Sequence, residues 1–250
     1  MKRRICCMLI AVLWVFLMLP VTAFAQSYSM SGTDMTITID DSIWYVFTPD
    51  NLQNNPELAE LGVTQEYLSN FFNENQAYLD AVLFYDTGVS MELIVRKSDI
   101  KSKVANLSTH DNDDVLELAE ALADKAGVDN YTTYQSRYKY ARLDYFDATH
   151  NYYLREYYTI VNKDSYTITV QSQTPYTQEQ YQEIQRIIDD IVFDVDPTLK
   201  DEVSDSIFDG VVGKALIGAV VGGCAGGLMS LLKKKKKPVD SPTENDTQQK

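Results

Sequence analysis

Cysteine is scarce in this chain: there are three, Cys6, Cys7 and Cys224, and none between Gln26 and Asp209. A disulfide framework is thereby excluded for that region, whose fold must rest on its own apolar core. Histidine is rarer still, with only His110 and His150, forty residues apart, which argues against structural zinc. Basic residues are also few. Residues 26–209 carry 12 Lys and Arg against 33 Asp and Glu, a net of −21, whereas residues 233–250 carry 6 against 3, a net of +3. So acidic a region repels nucleic acid and anionic headgroups and attracts cations or basic partners. No nucleophile elbow and no phosphate-cradling glycine loop occurs, and no cofactor is expected.

What the chain does have begins at its ends. Lys2, Arg3 and Arg4 precede an apolar run over residues 5–19, then Pro20 and Ala23-Phe24-Ala25. This order is that of a secretory signal peptide, residues 1–25, cleaved after Ala25. Cys6 and Cys7 precede the apolar run, so no lipoprotein anchor is implied. Near the other end, residues 211–232 form an apolar stretch that as a helix reaches about 33 Å, enough for a hydrocarbon core of roughly 30 Å. Lys233, Lys234, Lys235, Lys236 and Lys237 follow it and fix the tail, 233–250, as cytoplasmic. The expected product is a single-pass cell-membrane protein with an extracytoplasmic domain at 26–194, an acidic stalk at 195–210, a transmembrane helix at 211–232 and a short tail. A cysteine-free exported domain fits a bacterial envelope, although the sequons at Asn106 and Asn130 leave a eukaryotic secretory route open.

Between these ends the hydrophobic period changes repeatedly. Met35, Ile37 and Ile39 alternate with threonines, and residues 43–47 form a second apolar run after Asp40-Asp41-Ser42; this predicts a hairpin. Thr64 is placed to cap a helix carrying Tyr67, Leu68, Phe71, Phe72, Asn75 and Leu79 on one face. Residues 81–85 and 91–95 predict another hairpin, turning at Asp86-Thr87-Gly88. Asp114 and Glu117 match a capping pair for a helix that runs to Gly127. After it come three expected strands, one through Tyr134, Ser136, Tyr138 and Tyr140, one over 152–161, and one through Tyr166, Ile168 and Val170. A last helix over 177–192 carries Tyr181, Ile184, Ile187, Ile188 and Ile191 on one stripe. The fold class predicted is α+β, an antiparallel sheet flanked by helices.

The order of elements, with the first hairpin closing on Ile43-Trp44 and Thr48-Pro49, resembles the PsbP-like family over residues 27–194. The family's Pro-x-x-Trp entry to the second strand is replaced by Asp41-Ser42-Ile43-Trp44. The resemblance implies an α/β/α sandwich and a non-enzymatic domain that binds or stabilises a protein partner. It carries over no functional residue.

Candidate sites follow from residue type and spacing. Asp86 in Phe84-Tyr85-Asp86-Thr87-Gly88 has the form of an aspartic-protease loop, but such catalysis needs two carboxylates sharing a proton, and therefore a dimer here. As Asp and Gly also build ordinary turns, a protease is the remote alternative. The stretch from His110 to Asp114 gathers oxygen ligands without the Ca²⁺-loop spacing, and equally suits a helix start. No metal site is assigned, and the acidic surface makes a cation- or ligand-responsive sensor the alternative reading. The pairs Tyr152-Tyr153 and Tyr157-Tyr158 point one ring to each face of a strand. The outward rings, Tyr153 and Tyr157, either pack under helices or form a partner surface. In the apolar stretch, Gly218, Gly222 and Gly226 recur every fourth residue, a face that lets helices associate. The function expected is a membrane-anchored binding or assembly module that meets a protein partner or a copy of itself.

Overall fold

The computed structural model describes residues 25–85, 88–202 and 228–229. Among them ten strands form two antiparallel sheets. The chain runs β1 (Ala25–Ser29), β2 (Met35–Asp40), β3 (Trp44–Phe47), α1 (Pro56–Leu61), α2 (Gln65–Asn75), β4 (Ala77–Tyr85) and β5 (Gly88–Lys97). It continues through a 3-10 turn (Leu107–Thr109), α3 (Asn112–Ala126), β6 (Tyr131–Gln135), β7 (Lys139–Asp147), β8 (Tyr152–Val161), β9 (Asp164–Ser172), α4 (Gln178–Asp189) and β10 (Val192–Phe193). The larger sheet has the order β3-β4-β5-β9-β8-β7-β6 and the smaller β1-β2-β10. After β5 the chain crosses by α3 to the far edge, and the meander β6 to β9 brings it back beside β5.

The smaller sheet and α4 pack on one face of the larger sheet. Met35, Ile37 and Ile39 of β2 join Ile184, Ile187 and Ile188 of α4 and Leu79, Leu93, Ile168 and Val170 beneath them. On the opposite face α1 and α2 cover the β3–β4–β5 side with Leu58, Leu68, Phe71 and Phe72. There α3 covers the β7–β8 side with Val115, Leu118 and Leu122. The architecture is α+β, with antiparallel sheets flanked by helices.

Local chemistry sets the boundaries. Thr64 Oγ1 accepts the Tyr67 N–H at 3.2 Å to start α2. Thr177 and Gln180 form a reciprocal capping box on α4, with bonds of 2.8 and 3.3 Å, which satisfies two orphan donors at once. Gly127, at φ +68°, ends α3 in the left-handed conformation that costs glycine least. The cap at the other end of α3 is Asp111, whose Oδ1 accepts the Asp114 N–H at 2.9 Å, one turn earlier than the expected Asp114.

Four further features differ from expectation. β2 and β3 are not a hairpin: β2 pairs with β1 and β10, and β3 pairs with β4. The Asp40–Ile43 turn carries the chain from one sheet to the other, because β2 has a half-buried alternating pattern while Trp44, Val46 and Phe47 are all buried. Leu79 is a strand residue, since Gln76 adopts φ +51° and stops α2. The run 134–140 is two strands and a turn, closed by Ser136 N–H donating to the Tyr138 carbonyl at 3.0 Å, so the meander has four strands. Finally, residues 195–202 of the expected stalk lie on the domain, continuing from Asp194. Asp194 N–H donates to the Asp34 carbonyl at 2.8 Å, Glu202 N–H to that of Lys103 at 2.9 Å, and Asp196 N–H to Asn162 Oδ1 at 2.7 Å.

Candidate functional site

Strand alternation builds an unusual layer on the α1–α2–α3 face of the larger sheet. The register aligns Val82 with Glu92, Gln171 and Leu154 across β4, β5, β9 and β8, and the next row aligns Asp80 with Ile94, Thr169 and Glu156. A third row aligns Arg96, Thr167 and Tyr158. Between the apolar patch under α1 and α2 and the patch under α3 there is thus a strip of polar side chains, all buried. Three carboxyls, Asp80, Glu92 and Glu156, share it with one guanidinium, Arg96.

Hydrogen bonds tie most of the strip together. Arg96 Nη1 donates to Thr169 Oγ1 at 3.4 Å, and Thr169 Oγ1 donates to Glu156 Oε1 at 3.3 Å. The Tyr158 hydroxyl donates to Glu156 Oε2, and Gln171 Nε2 to Glu92 Oε2. The same Glu92 oxygen accepts the backbone N–H of Met229 at 3.2 Å. Asp80 and Glu92 Oε1 have no side-chain donor in good hydrogen-bond geometry and face each other instead, with the Leu228 backbone N–H close to both. An ionised pair would set two buried like charges against each other with acceptor atoms short of donors, at a cost of about 1–3 kcal/mol or more for each atom left unpaired. One proton removes the like-charge conflict and pairs two of the three oxygens, because a protonated Asp80 can donate to Glu92.

The electrostatics agree. Burial, followed by the nearby Glu92 carboxylate, pushes Asp80 well above the usual carboxyl range. Glu92 is also raised by burial, while hydrogen bonding with Asp80 and Gln171 and the N–H groups of Met229 and Leu228 pull the other way. Burial lifts Glu156 to about 7 against the opposing effects of Tyr158, Arg96, Tyr145 and Thr169. Chemically the strip holds protons and offers buried acceptors to a backbone N–H.

The expected site residues fall in different places. Tyr153 is half-buried and its ring lies 4.9 Å from that of Phe146, which is 47% exposed. Tyr157 is fully buried, its ring 5.4 Å from Tyr134 and 6.0 Å from Tyr140. Tyr157 therefore offers no surface: α4 and the smaller sheet cover the face it points to. Its neighbour Tyr158 packs under α3. Beside Tyr153, the Tyr176 hydroxyl is 2.9 Å from the Tyr153 carbonyl and 2.8 Å from that of Val170, and Arg155 stacks over Tyr181 at 4.6 Å. Asp86, Gly218, Gly222, Gly226 and Lys233 to Lys237 lie outside the described residues, as does all of the stretch 211–232 except Leu228 and Met229. Among the described residues no helix is long and apolar enough to cross a membrane.

His110 sits between Asp114 Oδ2 at 3.3 Å and Asp201 Oδ2 at 3.0 Å, one on each ring nitrogen. Those carboxylates bind opposite edges of the ring instead of converging with it on a point, and no group of three His, Cys, Asp or Glu among the described residues is placed to hold a metal ion. Sequence reasoning missed the buried carboxyls. Their signal was there: Asp80, Glu92 and Glu156 each interrupt a run otherwise rich in apolar and aromatic residues, and a charge in a buried strand needs a partner or a proton.

No protein family and no curated protein matches this chain. Among solved structures it is similar to a crystal structure from Bacteroides thetaiotaomicron VPI-5482, at 7% identity and a TM-score of 0.35, over 64% of this chain and 44% of that one. The match thus spans less than half of that protein's length and says nothing about function.

Proposed function

We propose that the chain is a membrane-anchored extracytoplasmic binding or assembly module without catalytic activity, whose exported domain meets a protein partner. The observation that supports this is the Phe146–Tyr153 pair: two aromatic rings in contact, one of them 47% exposed, on adjacent strands of an acidic domain. Rigid aromatic area of this kind is what interface anchors are made of. Residues 211–232 with the lysines behind them would supply the anchor, and Gly218, Gly222 and Gly226 a face for self-association.

The test is a pull-down of the full chain from its native membrane in mild detergent, beside Phe146→Ser with Tyr153→Ser, and beside a variant with the three glycines changed to Leu. Loss of a specific partner in the aromatic variant, with its melting temperature close to that of the parent, is the expected result. Retention of the same partner by both variants would overturn the assignment of this surface.

A further inference from the structure

Leu228 and Met229 come from the apolar stretch 211–232, yet both are fully buried against the domain. They belong to the packed cluster of α1, α2 and the sheet, together with Val82, Ile94, Tyr152 and Leu154. The contact is also polar, since the Met229 N–H donates to Glu92 Oε2 at 3.2 Å. Glu92 lies at the end of the polar strip, directly beside Val82 in the register. An apolar helical segment leaving lipid must find two things, a wall for its side chains and acceptors for any free backbone N–H. This corner of the domain supplies both.

We propose that the apolar patch between α1, α2 and the Glu92 end of the sheet is a docking site for the chain's own C-terminal apolar segment, entered by Leu228 and Met229. These two residues cannot occupy that cluster and a hydrocarbon core at once, so the domain and the membrane compete for the same segment. Docked, the segment is kept from water; released, it is free to insert. Competition with the membrane rests on the anchoring reading given above, whereas docking itself does not.

A photo-crosslinking residue at position 229 of the full chain tests this in detergent-free membranes and in mild detergent. Crosslinks within one chain to peptides of α1, α2 or β5, in either preparation, are expected. Crosslinks only to lipid or detergent, or only to a second chain, would overturn the proposal. With the crosslinker moved to position 228, Met229→Glu places a third carboxyl beside Glu92 and Asp80 and should lower the yield about ten-fold, the effect of a docking equilibrium weakened by one decade; an unchanged yield also overturns it. Carbonate extraction of the same membranes separates the two readings, because a chain released to the supernatant defeats anchoring whatever the crosslinks show.

Discussion

The two faces of the larger sheet solve the same problem in opposite ways. Under the smaller sheet and α4, strands β4, β5, β8 and β9 present Leu79, Ala81, Leu93, Val95, Tyr157, Ile168 and Val170, and apart from Arg155 and Thr159 of β8 these four strands present an apolar and aromatic layer. On the other face the same four strands place Asp80, Glu92, Arg96, Glu156, Thr169 and Gln171 between two apolar patches. The first face is stabilised by area removed from water. The second must satisfy each polar atom individually, and a carboxyl without a donor must hold a proton instead. The lesson is that one sheet can carry a non-directional core on one side and a geometry-dependent network on the other, since alternation decouples the two.

The largest contrast should come from truncation on the apolar face. Trp44 is buried there and its Nε1 donates to Glu183 Oε1 at 3.0 Å; Trp44→Ala is expected to cost about 3–5 kcal/mol in urea unfolding. A cost below about 1 kcal/mol would show that this face is not the main core.

On the polar face the sharper readout is pH. Glu156 is raised by burial from 4.5 to about 7, so the folded chain holds this proton more tightly than the unfolded chain does. Its contribution is full below the unfolded value and is lost as the pH rises through about 7, and Asp80 acts in the same direction. The Glu156 share amounts to roughly 3 kcal/mol. Comparing unfolding of the parent with Glu156→Gln across that window should show a flatter profile in the variant, and parallel profiles would break the argument.

The smallest effect tests the shared proton. Asp80→Asn keeps a donor for Glu92, and its stability near neutral pH should stay within about 1 kcal/mol of the parent by thermal melting. A loss above about 3 kcal/mol would mean that Asp80 is charged and paired, as a broken buried ion pair costs that much.

How much of this was legible in the sequence differs by element. The cap at Thr64, the start of a helix at Thr177, the stop at Gly127 and the pairing of β4 with β5 were readable, because each depends on residues a few positions apart. The corner at Asp40–Ile43 was not, since a polar turn between two apolar runs looks the same whether the strands pair or part. Tyr157 and Tyr153 have the same residue type and the same strand parity. Only the reach of α4 and the smaller sheet makes one a core residue and the other part of the surface.

The carboxyl strip lies furthest beyond local reading. Asp80, Glu92 and Glu156 come from three strands, and β5 meets β9 only after a crossover of more than sixty residues. Sequence by itself determined the α+β class, the starts of α2 and α4, the end of α3 and the absence of disulfides in the region 26–209, because periodicity, caps and composition act locally. Tertiary structure alone decided which strands are neighbours, which tyrosines are covered, and that three carboxyls share one buried layer with the N–H of Met229. Those outcomes depend on long-range pairing and on burial, which sets both the cost of a charge and the place of its proton.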